Sequence, residues 1–179
     1  MSISAKLLNH LKNNKVKHEI VSHKKVFTAY DAAATLKVKL EQVVKSLLVK
    51  AGNNLYLVLL RADRNLDFKK LAKTLKVEVN KISLPKEKVM TDKLNVKPGA
   101  ISAFGTVHKL PVVVDKGLVK IKEGIFQTGS FVESVRMKVK DYLTLEKPTV
   151  GEIGVAKKIS KPKISAKGGS AFGGKTKNK

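Results

Sequence analysis

Two almost uninterrupted apolar runs, VVKSLLVKA (Val43–Ala51) and LYLVLLRA (Leu55–Ala62), are separated only by Gly52-Asn53-Asn54. Runs rich in valine and leucine around a short glycine–asparagine turn predict a β-hairpin. A strand with one wet face alternates apolar and polar residues. These two are apolar at nearly every position, so the hairpin should lie centrally in a sheet, covered on both faces. The rest of the chain must therefore supply cover on two sides. With 179 residues, 42% of them apolar, it has the material for one such domain.

The flanking sequence reads as short helices and strands. Ser4 is placed to cap a helix over Ala5–Asn13, with Leu7, Leu8 and Leu11 on one face. Val16–Ser22 alternates like a strand, and Thr28 with Asp31 fits a capping box opening a helix through Ala32, Ala33, Ala34 and Leu36. Asp67 caps a helix through Phe68, Leu71, Ala72 and Leu75, leaving Lys69, Lys70, Lys73 and Lys76 on its outer face. VEVNKIS (Val77–Ser83) reads as a strand, and Pro85 suits the start of a helix reaching about Asp92. Pro98-Gly99-Ala100 marks a loop. Strands are predicted at Pro111–Asp115, Gly124–Thr128 and Glu133–Lys138, and a last helix at Lys140–Glu146. The expected fold is α/β (α+β): a central mixed, largely antiparallel sheet flanked by short helices, over residues 1–146. Residues 147–179 hold six of the twelve glycines and read as a flexible basic tail. No internal repeat is expected.

The net charge is +23. Residues 1–146 carry 28 Lys/Arg against 13 Asp/Glu, and residues 147–179 carry 9 against 1, so body and tail are both basic. Such an excess points to a polyanionic partner, nucleic acid before membrane. Cysteine is absent, which excludes disulfides, thiolate metal sites and a cysteine nucleophile. Four scattered histidines do not suggest a metal centre, and no cofactor is expected. No apolar stretch is long enough to span a bilayer and no signal peptide is read at the N-terminus, so a cytoplasmic location is expected. Gly169–Thr176 fits the phosphate-loop pattern G-x-x-x-x-G-K-[ST], but no strand leads in and only three residues follow, too few for the helix that the pattern needs.

Four ordered segments carry a resemblance: HKKVFTAYDAAATLKV (His23–Val38), Gln42–Val77 including the hairpin, KPGAISAFGTVHKLPVVVD (Lys97–Asp115) and FQTGSFVESVRMKVKDYLTL (Phe126–Leu145). Together they resemble the YbaK/ProX-like trans-editing aminoacyl-tRNA deacylases, relatives of the editing domain inserted in bacterial prolyl-tRNA synthetases. The resemblance implies a YbaK-like fold with a cleft for the 3′ aminoacyl-adenosine of a mischarged tRNA. It also implies hydrolysis of the ester joining a wrong amino acid to that tRNA, an aminoacyl-tRNA hydrolase in translation quality control. Mischarged tRNA is then the expected partner, with an aminoacyl-tRNA synthetase as a further one. The alternative is a non-catalytic tRNA- or ribosome-binding module that uses the basic surface and tail. In the family the residue after the strand lysine helps to sort subgroups; here it is Ser46. No histidine stands near Gln127–Gly129, where some members place one.

An aminoacyl ester is already activated, so its hydrolysis asks for a positioned water and oxyanion stabilisation more than for a strong nucleophile. Lys45 sits within VVKSLLV, where an ammonium is costly unless it meets an anion or a cleft. An alternating position that points to solvent explains it equally well, and the resemblance favours the functional reading. With it, Gly99, Ala100, Ile101 and Ser102 would bring backbone amides to a carbonyl or ribose hydroxyl. Thr128, Gly129 and Ser130 would form the opposite wall, and Phe27 and Thr28 the mouth. His23 and His108, without a nearby carboxylate in sequence, read as surface residues, and Thr28 is already explained as a cap.

Overall fold

The computed structural model describes residues 3–94 and 99–157. Helix α1 (Ala5–Asn13) and strand β1 (His18–Ser22) lead to α2 (Ala29–Leu36), a 3-10 turn (Leu40–Gln42) and the hairpin, β2 (Val43–Ala51) and β3 (Asn54–Arg61). Strand β4 (Arg64–Leu66), α3 (Phe68–Leu75), a second 3-10 turn (Val79–Lys81), β5 (Ile82–Ser83) and α4 (Glu87–Leu94) follow. Then come α5 (Gly105–His108), β6 (Val112–Asp115), α6 (Lys116–Val119), β7 (Glu123–Gln127), β8 (Glu133–Lys138) and α7 (Val139–Glu146). Two short strands, β9 (Thr149–Gly151) and β10 (Gly154–Ala156), complete the described chain. The expected caps form: Ser4 accepts from Leu7 N, Thr28 and Asp31 close a capping box, and Asp67 accepts from Lys69 N and Lys70 N.

The main sheet runs β1-β8-β7-β2-β3-β6-β9, with β5 also on β2. The hairpin is central, as its composition requires. Pairings β1–β8, β8–β7, β2–β3 and β2–β5 are antiparallel, whereas β2–β7, β3–β6 and β6–β9 are parallel. Alternate residues of the hairpin enter different cores. Val44, Leu48, Leu57 and Leu59 join Leu7 and Leu11 of α1, Phe104, and Val139 and Tyr142 of α7. On the opposite face Val49, Val58 and Leu60 pack with Leu71 and Ala72 of α3, while Val43 and Ala62 pack with Ala32 and Ala33 of α2. Each such fully buried valine or leucine contributes about 1.5–3 kcal/mol relative to an exposed one.

The structure reveals a repeat that the sequence reading missed. Thr-Leu-Lys-Val occurs at 35–38 and again at 74–77. In both copies a helix ends on a left-handed lysine, Lys37 (φ 52°) or Lys76 (φ 56°), and the next valine returns its amide to the helix, Val38 to Ala33 O and Val77 to Ala72 O. A 3-10 turn and a strand follow each. This explains why VEVNKIS is not a full strand: its first half closes a helix, and only Ile82–Ser83 pairs, with Lys50 and Ala51. Lys15, Lys109 and Lys147 are also left-handed and also follow helices, so every positive-φ non-glycine residue among those described is a lysine.

The expected domain boundary also moves. Residues 149–157 belong to the fold: β9 extends the sheet beside β6, and β10 pairs with β4. The buried Asp115 carboxylate holds this segment, accepting from Ile153 N (3.0 Å), Gly154 N (2.7 Å) and Gly117 N (2.9 Å), with Arg64 Nε at 3.7 Å. A buried carboxylate demands such donors, and composition gave no sign that they lie past residue 147. The tail from residue 158, with its phosphate-loop-like motif, and the expected Pro98 turn position lie outside the described residues.

Two stability outcomes follow. Lys76→Gly, at an exposed left-handed position, should raise stability by about 0.5–1 kcal/mol, because glycine adopts this conformation without the Cβ penalty. Thermal melts would show it. Truncation after Glu146 should lower the melting temperature by far more than truncation after Lys157, because it removes β9, β10 and two of the three backbone donors to the buried Asp115 carboxylate.

Candidate functional site

The site begins where two parallel strands part. β2 and β7 pair at Val43↔Ile125 and Val44↔Phe126 and no further. The next residues are Lys45 on β2 and Gln127 on β7. Gln127 O accepts instead from Ala103 N (2.8 Å), so the 100–103 segment takes up pairing with the end of β7. Ala103 O in turn accepts from the buried Tyr142 hydroxyl, whose ring stacks on Phe126 at 4.5 Å. Both backbone groups of Ala103 are thus fixed. Of the two strands only β7 ends here, at Gln127, while β2 runs on to Ala51; the region beyond the carboxyl end of a strand in a parallel pairing is a recurrent place for ligands.

Two glycine-bearing segments meet at this point. A Cβ on Gly129 (φ 89°) would lie 3.5 Å from Ala100 O and 4.0 Å from Ser102 Cβ. One on Gly99 (φ 79°) would lie 3.4 Å from Phe27 O and 3.8 Å from the Phe131 ring. The Phe27 and Phe131 rings are 5.3 Å apart, and Phe27 is exposed. Gly99, Ala100, Ser102, Gly129 and Phe27 therefore lie close together, and the Gly129 segment touches the 99–102 segment directly. Their hydroxyl neighbours are used differently. Thr128 donates to Glu133 O and accepts from Ser130 N, Ser130 Oγ accepts from Val132 N and Glu133 N, and Ser102 Oγ accepts from Phe104 N. These hydroxyls shape their own loops. Ala100, Ile101 and Ser102 are buried, with Ile101 in the main core, and Thr28 spends its side chain on the helix cap.

Lys45 lies on the face shared by Val43 and Leu47, in the seam between the α2 and α3 clusters. Its ammonium is half-buried and donates to Arg64 O at the start of β4. Burial foremost, then the Lys157 ammonium, lowers its pKa to about 8, against a smaller opposing pull from Asp63. Asp63 is itself gripped by both arms of Arg61, which holds its carboxyl below the usual range. Among the described residues Lys45 makes no ion pair. Ser46, one residue on, faces the opposite core with Val44 and Leu48, and its buried Oγ has no hydrogen-bond partner among the described residues. Lys45 and Ser46 therefore serve different sides of the sheet.

The sequence reading missed three neighbours of Lys45 or of the loops. Arg64 contributes through its carbonyl, which carries no side-chain signal. Tyr30 is exposed on α2, three residues after Phe27, and Lys157 reaches its hydroxyl at 2.8 Å. Lys157 itself fell within a stretch read as tail. His23 is also more engaged than expected, with Nε2 2.9 Å from Ser134 Oγ and Nδ1 2.9 Å from Lys24 O. His108 is half-buried rather than on the surface, and burial lowers its pKa. Among the described residues no helix is long and apolar enough to cross a membrane.

A family profile described as "Aminoacyl-tRNA editing domain" matches residues 23–145. The proline–tRNA ligase of Desulfitobacterium hafniense (strain DSM 10664 / DCB-2) is 34% identical over 88 residues, 49% of this chain and 15% of the ligase. The chain thus spans a small part of that relative's length. Among solved structures, a candidate trans-editing enzyme for prolyl tRNA synthetase matches with a TM-score of 0.74 at 20% identity, over 87% of this chain and 100% of the other. A scaffold protein from computational epitope grafting matches with the same TM-score at 21% identity, over 88% and 100%. At these identities the likeness is one of fold.

The loop geometry has a direct test. Gly129→Ala meets no steric clash, so its cost is the backbone conformation alone, about 1–2 kcal/mol. Denaturant titration should show that loss, while Gly52→Ala, in open space at the hairpin turn, reports the same φ penalty away from the loops.

Proposed function

The chain belongs to the aminoacyl-tRNA editing domain family, and on that premise we propose that it hydrolyses the ester bond of mischarged aminoacyl-tRNA. A synthetase pocket separates amino acids that differ by one methylene by only about 1–3 kcal/mol, so a second site that cleaves the wrong product has a purpose. The terminal adenosine would sit where β2 leaves β7, its ester toward the 99–103 and 128–130 segments. Water attacks the acyl carbon, the carbonyl π electrons move to oxygen, and the tetrahedral intermediate collapses. The C–O bond to the ribose breaks, and the ribose oxygen takes up a proton. The products are a free amino acid and a tRNA with its terminal hydroxyl restored. Backbone amides of the small-residue segments would stabilise the oxyanion, a task that needs no side-chain nucleophile.

The observation that carries this reading is the Lys45 ammonium: half-buried on the central strand, beside the parting of β2 and β7, with a backbone carbonyl as its hydrogen-bond partner. A half-buried cation with no ion pair among the described residues has use for an anion. Lys45 would hold the phosphate that joins the terminal adenosine to the preceding nucleotide, leaving the ester to the loops. The basic surface would add a salt-dependent, sequence-independent attraction to the tRNA backbone.

Incubation with a panel of mischarged tRNAs tests the activity and its amino-acid preference together. Binding without release of amino acid from any of them would instead favour a non-catalytic RNA-binding module. Lys45→Ala should reduce kcat/KM by about 10²–10³-fold, with little loss of stability, since no carboxylate is orphaned by it. The pH profile follows from the depressed pKa. The charged form is present below about pH 8 and is lost as pH rises through that value, so activity should fall on the alkaline side. Lys45→Arg, which stays charged, should remove that alkaline limb even if its rate is lower.

A further inference from the structure

Lys45 is not the sole cation at its end of the seam. Strand β10 pairs with β4 so that Ala156 lies opposite Arg64, and Lys157 N then donates to Asp63 O at 3.4 Å. This register delivers the Lys157 side chain to Tyr30, with Nζ 2.8 Å from the phenol oxygen and 4.2 Å from the ring centroid. The acids nearby are already engaged: Asp63 and Glu41 by Arg61, and Asp115 by Arg64 and three backbone amides. Among the described residues neither Lys45 nor Lys157 makes an ion pair, yet the fold brings the two ammonium groups close enough that Lys157 helps to lower the pKa of Lys45. Holding like charges together has a cost that an anion bound between them removes.

We infer that Lys157, together with Lys45 and the Tyr30 hydroxyl, forms a phosphate subsite that the C-terminal segment completes, and that it takes a phosphodiester of the single-stranded 3′ end of tRNA. The inference rests on the editing reading above, but Lys157 lies beyond residues 23–145, the stretch that matches the family. Tyr30 has a double part: its hydroxyl and one ring face meet the ammonium, and the other face of its exposed ring offers an adjoining nucleobase a stacking surface. Residues 149–157 are then part of the binding site as well as of the sheet, and Asp115, which ties that segment down, is a positioning residue for Lys157.

The test uses the full-length chain and the trinucleotide CpCpA, alongside its methylphosphonate analogue, which lacks the phosphate charges. Lys157→Ala should weaken CpCpA binding about tenfold and reduce the salt-dependence slope by about 0.7–1, with no effect on the analogue. Lys157→Arg should restore most of the affinity, and Tyr30→Phe should cost a few-fold. With mischarged tRNA, Lys157→Ala should raise KM and leave kcat near its original value. Titration of the Lys45 ammonium by heteronuclear NMR supplies a readout independent of binding: its pKa should rise when Lys157 is removed. Unchanged CpCpA affinity and salt slope in Lys157→Ala, no binding of CpCpA by the unaltered protein, or an unmoved Lys45 titration would each overturn the subsite. If CpCpA behaves as described but no mischarged tRNA is cleaved, the deacylase reading fails and the subsite stands. Cleavage of mischarged tRNA that is indifferent to Lys157 does the opposite: the deacylase reading stands and the subsite fails.

Discussion

The burial of the β2–β3 hairpin on both faces is the constraint from which the architecture follows. Its two strands put alternate side chains into separate cores, so helices must cover both sides of the sheet. On one side α1 and α7 do this with a single large cluster. On the other, α2 and α3 cover separate patches and leave a seam. Lys45 occupies that seam. A half-buried ammonium at that position is tolerated where the cover is divided.

Much of the candidate site is held from outside itself. The Arg64 carbonyl that receives Lys45 belongs to β4, a three-residue strand whose partner is β10. β10 is fixed by the Asp115 carboxylate through Ile153 N and Gly154 N, and the Arg64 side chain reaches back to Gly154 O at 3.0 Å. The opposite wall depends on Tyr142, whose hydroxyl holds Ala103 O while its ring packs on Phe126 and Phe104. In both places a buried polar group with all its partners present turns a short, loosely specified segment into a fixed one. The hydroxyls of Ser102, Thr128 and Ser130 likewise accept from backbone amides of their own loops and hold those loops in shape.

Editing chemistry suits such a site. In the proposed deacylase reaction the ester would supply the activation, so the protein's part would be to position the substrate and stabilise developing charge, which backbone amides in rigid loops could do without reorganising. Affinity for the rest of the tRNA can come from phosphate contacts spread over a chain with net charge +23. On the proposed reading, a small reaction centre and a broad cationic surface would divide the labour of acting on so large a substrate.

The sequence by itself determined the local structure: the central hairpin from its two apolar runs and the helix starts from Ser4, Thr28 and Asp67. These are short-range matters of period, capping and backbone freedom. Where the chain stops being domain was not legible, because residues 149–157 share the glycine content of the stretch that follows, and their structural role depends on a carboxylate more than thirty residues earlier. The Thr-Leu-Lys-Val repeat was present in the letters but acquired meaning only when both copies were seen to end helices on a left-handed lysine. Only the tertiary structure decided which face Lys45 and Ser46 each serve, what receives the ammonium, and that Lys157 stands beside it. Those outcomes depend on strand register and on distant backbone groups coming into reach, and a hydrogen bond to a carbonyl leaves no trace in the identity of the residue that owns it.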